Sequence, residues 1–148
     1  MPRNPATTAD VSYRFATSSD ALAVLDLWSA AGSHATISDT VTALSSLIAH
    51  DPESLLVAKS GSDIVGSLIA GWNGWRGSIY RLAVHPDYRR QGIATELVHR
   101  AIEHLRSRGA WRIDAFVVAS DTDAVAFWDG LAHIGMHRDE PKLRFVVE

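Results

Sequence analysis

The stretch Val84-His85-Pro86-Asp87-Tyr88-Arg89-Arg90-Gln91-Gly92-Ile93-Ala94-Thr95 sets two arginines, a glycine and small residues directly ahead of a long amphipathic run. If a strand ends at His85-Pro86 and a helix starts at Gly92, backbone N–H groups of the first helical turn have no intrahelical acceptor and face outward. The helix macrodipole adds partial positive charge at the same point. Gly92 removes the Cβ that would block close approach, Ala94 keeps the next turn small, and Arg89 and Arg90 add formal charge. Such an end suits an anion, above all a pyrophosphate. The same residues also make an ordinary strand-to-helix loop. Neither G-x-G-x-x-G nor G-x-x-x-x-G-K-S/T is present, which argues against a Rossmann dehydrogenase and a P-loop NTPase.

The elements that must hold this segment follow from periodicity. Val11, Tyr13 and Phe15 alternate with Ser12 and Arg14, which predicts a half-buried strand over 11–16. Residues 1–10, polar with two prolines, read as a flexible lead-in. Ser18 and Ser19 are N-cap candidates for a helix through Trp28 towards Gly32, and Ser38 for a second helix carrying Val41, Leu44, Leu47 and Ile48. Strands over 54–59, 64–72 and 77–84 form a meander, with Asn73-Gly74 marking a type I′ hairpin. A helix over 93–106 with Gly109 as its C-cap, a buried strand over 111–118, a helix capped by Asp121 through Trp128 and a last strand over 142–147 complete the order β-α-α-β-β-β-α-β-α-β. That order predicts one mixed α/β domain over 11–148, with a central, mostly antiparallel mixed sheet and helices on both faces.

Composition bounds the rest. The chain has 148 residues, 47% of them apolar and 21% charged, as in ordinary globular proteins. Cysteine is absent, so disulfides, zinc thiolates and cysteine nucleophiles are excluded. A net charge of −3 gives no overall basic bias towards nucleic acid. Nothing resembles a signal peptide or a membrane span, and the expected setting is cytoplasmic. His133 and His137 form an H-x-x-x-H pair without a carboxylate at ligand spacing, so no metal is expected. Arg106, Arg108 and Arg112 read as a solvated helix end.

Arg89-Arg90-Gln91-Gly92-Ile93-Ala94 resembles the R/Q-x-x-G-x-G/A signature of the GNAT acetyltransferase superfamily. Arg81 to Tyr88 is similar to the strand and turn that lead into it, and Asp121-Thr122-Asp123-Ala124-Val125-Ala126-Phe127-Trp128 resembles the family's N-x-x-A-x-x-F-Y helix start. The resemblance implies acetyl-CoA as co-substrate and acyl transfer to an amine, by direct attack in a ternary complex. It assigns the pyrophosphate to main-chain N–H groups of Gln91, Gly92, Ile93, Ala94 and Thr95, and the pantetheine to the strand edge at Leu82, Ala83 and Val84. Asp121, Ala124 and Phe127 would lie along the cofactor, in a cleft opening after Val84 and Val118. The acceptor would be a small-molecule or peptide amine, with no nucleic acid or membrane involved and a homodimer through an exposed strand left open.

Two departures matter. Relatives often carry a glutamate on the strand over 77–84 as general base, whereas Ile79, Tyr80 and Arg81 stand here, leaving water or a carboxylate such as Asp26 or Asp39. Trp128 replaces the tyrosine that protonates the leaving thiolate in many relatives, with Tyr80 as a substitute donor, and the run from Trp128 to Gly135 is longer than the family's. The alternative is an acyl-CoA-binding sensor or assembly module without turnover. Trp28, His34, Trp72, Asn73 and Trp75 are candidates for the acceptor walls or for plain packing.

Overall fold

The computed structural model describes residues 10–148, so all but Asp10 of the lead-in lies outside the described residues. Two compact units are distinguished within the span assigned to one domain, the first ending at Ala115 and the second running Phe116–Glu148.

In the first unit, β1 (Val11–Phe15), β2 (Leu55–Ser60), β3 (Asp63–Trp72), β4 (Gly77–Val84) and β5 (Ile113–Ala115) form one sheet in that order. The first four are antiparallel neighbours and β5 joins β4 in parallel, so the sheet is mixed and mostly antiparallel as the sequence predicts. Alternation along β2 separates two faces. Leu55 and Val57 pack with Val24, Leu27 and Trp28 of α1 (Ala21–Ala30) and Leu44 and Ile48 of α2 (Val41–His50). The opposite face carries α3 (Ile93–Arg108), close enough that a Cβ on Gly66 would stand 3.1 Å from Ile93 and Leu97, and one on Gly77 2.8 Å from Leu105. Gly109 caps α3 with φ +113, and its N–H returns to Arg106 O.

Local chemistry departs from the sequence reading at three turns. The first helix is entered through Thr17, whose N–H donates to Asp20 Oδ2 at 2.8 Å, and not through Ser18 or Ser19, which lie in a short 3-10 turn. Thr40 and not Ser38 caps α2, its Oγ1 accepting from Ala43 N at 3.1 Å. The β3–β4 hairpin forms, but Asn73 Oδ1 accepts from both Trp75 N (2.9 Å) and Arg76 N (2.7 Å). That side-chain turn widens the loop and leaves positive φ to Gly74, so the type I′ geometry is not used.

The strand expected over 111–118 is only Ile113–Ala115, half-buried at the sheet edge, with Phe116 and Val118 exposed. A strand needs a neighbour along its whole length, and β4 pairs with β5 only from Gly77 to Ile79. In the second unit, α4 (Thr122–Asp129) forms under an Asp121 cap, Oδ1 accepting from Ala124 N at 3.0 Å. The strand expected over 142–147 does not form. Its alternation lacks both a ladder partner and a covered face among the described residues, and Leu143, Phe145 and Val147 are exposed.

Candidate functional site

The loop that follows β4 is anchored before it becomes irregular. His85 Nδ1 accepts from Asp87 N (3.2 Å) at the start of a 3-10 turn, and Tyr88 is buried, edge-on to the His85 ring. The exposed chain then passes through two left-handed residues, Arg90 at φ +62 and Gly92 at φ +78. Gly92 adopts this conformation freely, whereas any side chain there would be strained. No side chain caps α3, and the first bond from its interior is Glu96 N to Gly92 O (3.0 Å). The N–H groups of Ile93, Ala94 and Thr95 therefore keep the orphan status of a first turn. Ile93 fixes the turn by burying its side chain.

The electrostatics of that end favour an anion. Glu96, the acidic residue of the first turn, is drawn off by Arg100 at 2.8 Å. Arg89 reaches back to Ala31 O (3.3 Å), tying the loop to the end of α1. Gln91 and Gly92 help wall a groove of about 320 Å³, and Gln91 Oε1 is buried there without a hydrogen-bond partner. A phosphate fits the donors of this helix end, with no acidic side chain left unpaired in the first turn.

The second component is a strand edge. β4 leaves β5 after Ile79 and Ala115, earlier than the expected parting at Val84 and Val118, so among the described residues the outer edge of 80–84 has no strand neighbour. The inner ladder skips here, from Ile69↔Tyr80 to Ser67↔Ala83, with Arg81 at φ +52 taking up the extra residue. Ala83 buries its side chain in the core, while Leu82 and Val84 are half-buried. Main-chain groups of this edge lead straight into the loop and the start of α3.

The bulge also positions a side chain that the motif reading passed over. Arg81 Nη2 is bound by both oxygens of Asp39 (2.7 and 2.9 Å), and Arg81 Nη1 donates to His34 O (3.0 Å). Its guanidinium lies 5.1 Å from the Trp28 ring, and Trp28 Nε1 donates to buried Ser67 Oγ at 2.8 Å. The connection between α1 and α2 is thus pinned over the bulge. Asp39 is held as an ion-pair partner, while Asp26 is exposed on α1, so neither stands as an open base at this edge. The Arg81–Asp39 separation along the chain, forty-two residues, gave spacing arguments nothing to read.

The other candidates are dispersed. Trp28 is 4% exposed and belongs to the core. Tyr80 stands where β5 leaves β4, 45% exposed, its ring packed towards Gly71. Trp72, the last residue of β3, pairs with Gly77, and Trp75 lies in the hairpin between them, so both stand where β4 begins, an eight-residue strand of roughly 26 Å away from the loop. Within the second unit, Asp121 caps α4, Ala124 and Phe127 are half-buried on it, and the Phe127 and Trp128 rings meet edge-on at 5.6 Å. His133 and His137 each face a backbone carbonyl. Among the described residues no three His, Asp or Glu side chains gather as a metal site, and no helix is long and apolar enough to cross a membrane.

Comparison with known proteins gives the same direction. The model of the Acetyltransferase (GNAT) family matches residues 21–131. An acetyltransferase of Sodalis glossinidius is 46% identical over 76 residues, 51% of this chain and 53% of that protein. The match thus spans about half the length of such curated relatives. An aminoglycoside acetyltransferase, meta-AAC0020, from an uncultured soil metagenomic sample in complex with sisomicin superposes with a TM-score of 0.74 at 18% identity, over 95% of this chain and 97% of its own. The PaiA N-acetyltransferase of Thermoplasma acidophilum, in complex with coenzyme A, gives 0.68 at 14% identity, over 81% and 87%. At those identities the likeness is one of fold.

Proposed function

Because the chain belongs to the Acetyltransferase (GNAT) family, we propose that it transfers the acetyl group of acetyl-CoA to a primary amine of a small molecule or peptide, by direct attack in a ternary complex. The observation that carries this reading is the unpaired edge of 80–84 running into the uncapped start of α3. An extended thioester arm pairs with such an edge, and its pyrophosphate is bound by the N–H groups of Gly92 to Thr95 beside Arg89 and Arg90. In the second unit, the family's pattern assigns Asp121, Ala124 and Phe127 to the same co-substrate. Bound acetyl-CoA supplies an activated acyl carbon: the N–C bond forms as the C–S bond breaks, one proton leaves the amine and one reaches the thiolate.

The chain's own residues orient this exchange. Arg81 holds 34–39 in place as one wall for the acceptor. To the Tyr80 hydroxyl, on the residue where the two strands part, we assign protonation of the leaving thiolate, with solvent taking the amine proton. The test is calorimetric titration of acetyl-CoA into the protein and into its Gly92→Glu variant. Saturable binding lost in the variant supports the reading, and no binding by the folded protein overturns it. A panel of amines, including a polyamine aminoglycoside, is then followed by thiol release, which the cysteine-free chain leaves without background. Tyr80→Phe is expected to lower kcat while leaving acetyl-CoA affinity intact.

A further inference from the structure

The dipeptide Trp-Arg occurs twice, as Trp75-Arg76 and Trp111-Arg112, each just ahead of a strand. The parallel ladder begins at Gly77↔Ile113, and Gly77 N–H donates to Arg112 O at 3.1 Å, so the two dipeptides enter the sheet side by side. Trp75 is 66% exposed and Trp111 fully exposed. The Arg76 guanidinium lies 4.0 Å from the Trp75 ring centroid and covers one face of it. Segments 72–77 and 106–113 contain no aspartate or glutamate, yet hold Arg76, Arg106, Arg108 and Arg112 in a chain of net charge −3. Arg108 is committed to Asp51 at 2.7 Å. Arg112 already interacts within the chain and contributes charge at this place, not an open donor.

Exposed apolar side chains that stand together and are rimmed by polar groups mark interaction surfaces, and here the two dipeptides enter the sheet side by side. A second copy of this chain would bring these arginines against their own equivalents, and an acidic protein segment would satisfy the cations while offering no flat group to the indoles. One nucleotide carries both a flat π face and an anion: the Trp75-Arg76 pair presents the complement of both, and Trp111 adds a second exposed ring in a segment that also carries the charge of Arg106 and Arg112. The Gly77 N–H to Arg112 O bond joins the backbones of the two dipeptides' segments, which sets the pairs beside each other where β4 and β5 begin. We propose that the Trp75-Arg76 and Trp111-Arg112 pairs form a docking surface for single-stranded nucleic acid, at the end of β4 remote from the acyl-CoA loop. The net acidity of the chain confines the contact to a short segment, which is why whole-chain composition gives no sign of it.

The experiment uses the whole chain and fluorescein-labelled dodecamers of uridylate and adenylate at low salt, read by anisotropy and by tryptophan quenching. Both oligomers are expected to bind saturably, because stacking tolerates any base. Each neutralised phosphate contributes about −0.7 to the slope of log affinity against log salt, so a slope of about −0.7 is expected from Arg76. The Trp75→Ala/Trp111→Ala variant is expected to bind at least roughly tenfold more weakly, and Trp75→Phe/Trp111→Phe to keep most of the affinity, since a phenyl ring still stacks. Unchanged thermal melting separates these surface changes from unfolding. Absence of binding, equal binding by the alanine variant, or equal loss in the phenylalanine variant overturns the proposal. Displacement of the oligomers by a polyglutamate peptide at equal charge does so too, and reassigns the surface to an acidic protein.

Discussion

Leu97 and Leu143 are the same residue in two settings. Leu97, on α3, is fully buried between the helix and the sheet, where it stands against Gly66. Leu143, in the last segment, is 86% exposed. The contrast extends to their regions. In the unit that ends at Ala115, helices cover the two faces of a four-strand antiparallel ladder, and most leucines, valines and isoleucines are buried or half-buried, Leu22, Ile37 and Val41 being the exposed exceptions. In Phe116–Glu148, Leu131 is the one buried residue, although Phe116, Val118, Phe145 and Val147 are as apolar as anything in the core. Apolar character supplies the driving force for burial, but a strand also needs a ladder for its backbone and a layer across its face.

The largest expected effect breaks that pairing directly. Leu97→Ala should cost about 3 kcal/mol or more in urea unfolding, from lost transfer energy plus the cavity left beneath α3. Leu143→Ala should stay within about 0.5 kcal/mol. Comparable costs at the two positions would show that the last segment is packed in solution, and the contrast between the regions would fall. Gly77→Ala comes next. Its new Cβ would meet Leu105 Cδ1 at 2.8 Å, a contact side chains do not make without moving. A loss of about 1–3 kcal/mol by overpacking is expected, whereas Gly135→Ala, with open space around it, is limited to the strain of its positive φ.

The sequence was most informative where local and long-range demands coincide. The α3 pattern of Ile93, Leu97, Val98, Ala101 and Leu105 is helical at every step, ends at a glycine, and buries each of those residues. The signature loop was legible for the same reason, since Gly92 and the small residues after it answer a local backbone need. Legibility failed where the deciding partner is distant. Asp39 meets Arg81 through a bulge that no periodicity announces, and Trp28 is fixed by Ser67, a residue with no motif of its own. Strand patterns over 111–118 and 142–147 failed for a different reason. Alternation specifies two faces, but it does not create the neighbour that turns a face into an interior.

Arg81 offers a sharper test of how far the ordered region reaches towards the site. Arg81→Ala leaves Asp39 without its ion-pair partner, with only the Thr36 N–H and hydroxyl still donating to it, and His34 O without its donor. Amide exchange over 33–40 should accelerate at least about tenfold, the loss of roughly 1.4 kcal/mol or more of local opening energy. Arg81→Lys keeps a charge for Asp39 but loses the second nitrogen that reaches His34 O, and should keep part of the protection. Turnover of any accepted amine should follow the same order, with KM for the amine rising more than kcat falls if the loop walls the acceptor. Equal exchange in all three proteins would mean that 33–40 is held by other contacts and that the bulge positions nothing.

The smallest effect compares two ion pairs of the same chemistry. Arg14 binds Asp20 through both nitrogens at 2.7 and 3.0 Å, and Thr17 N–H adds a third donor. These hydrogen bonds, Arg14's first, hold the Asp20 carboxyl at about 2, below its ordinary 3.8. A depressed carboxyl stabilises the fold fully above its unfolded pKa, and that contribution is lost as pH falls through the folded value. Stability should therefore decline between about pH 4 and pH 2 by about 1 kcal/mol from this pair, a modest figure because Arg14 is open to water. Asp20→Asn should flatten that part of the profile and lower stability at neutral pH by a similar amount. Asp129 is also held down by Arg138, at 2.8 Å, but that pair is fully exposed in the second unit. Asp129→Asn should leave both the melting temperature and its pH dependence unchanged, because water screens the attraction and replaces the lost bonds. Should the two asparagine variants behave alike, the covering of Asp20 by the turn at Thr17 would count for nothing, and the ordering of the two regions would rest on apolar burial alone.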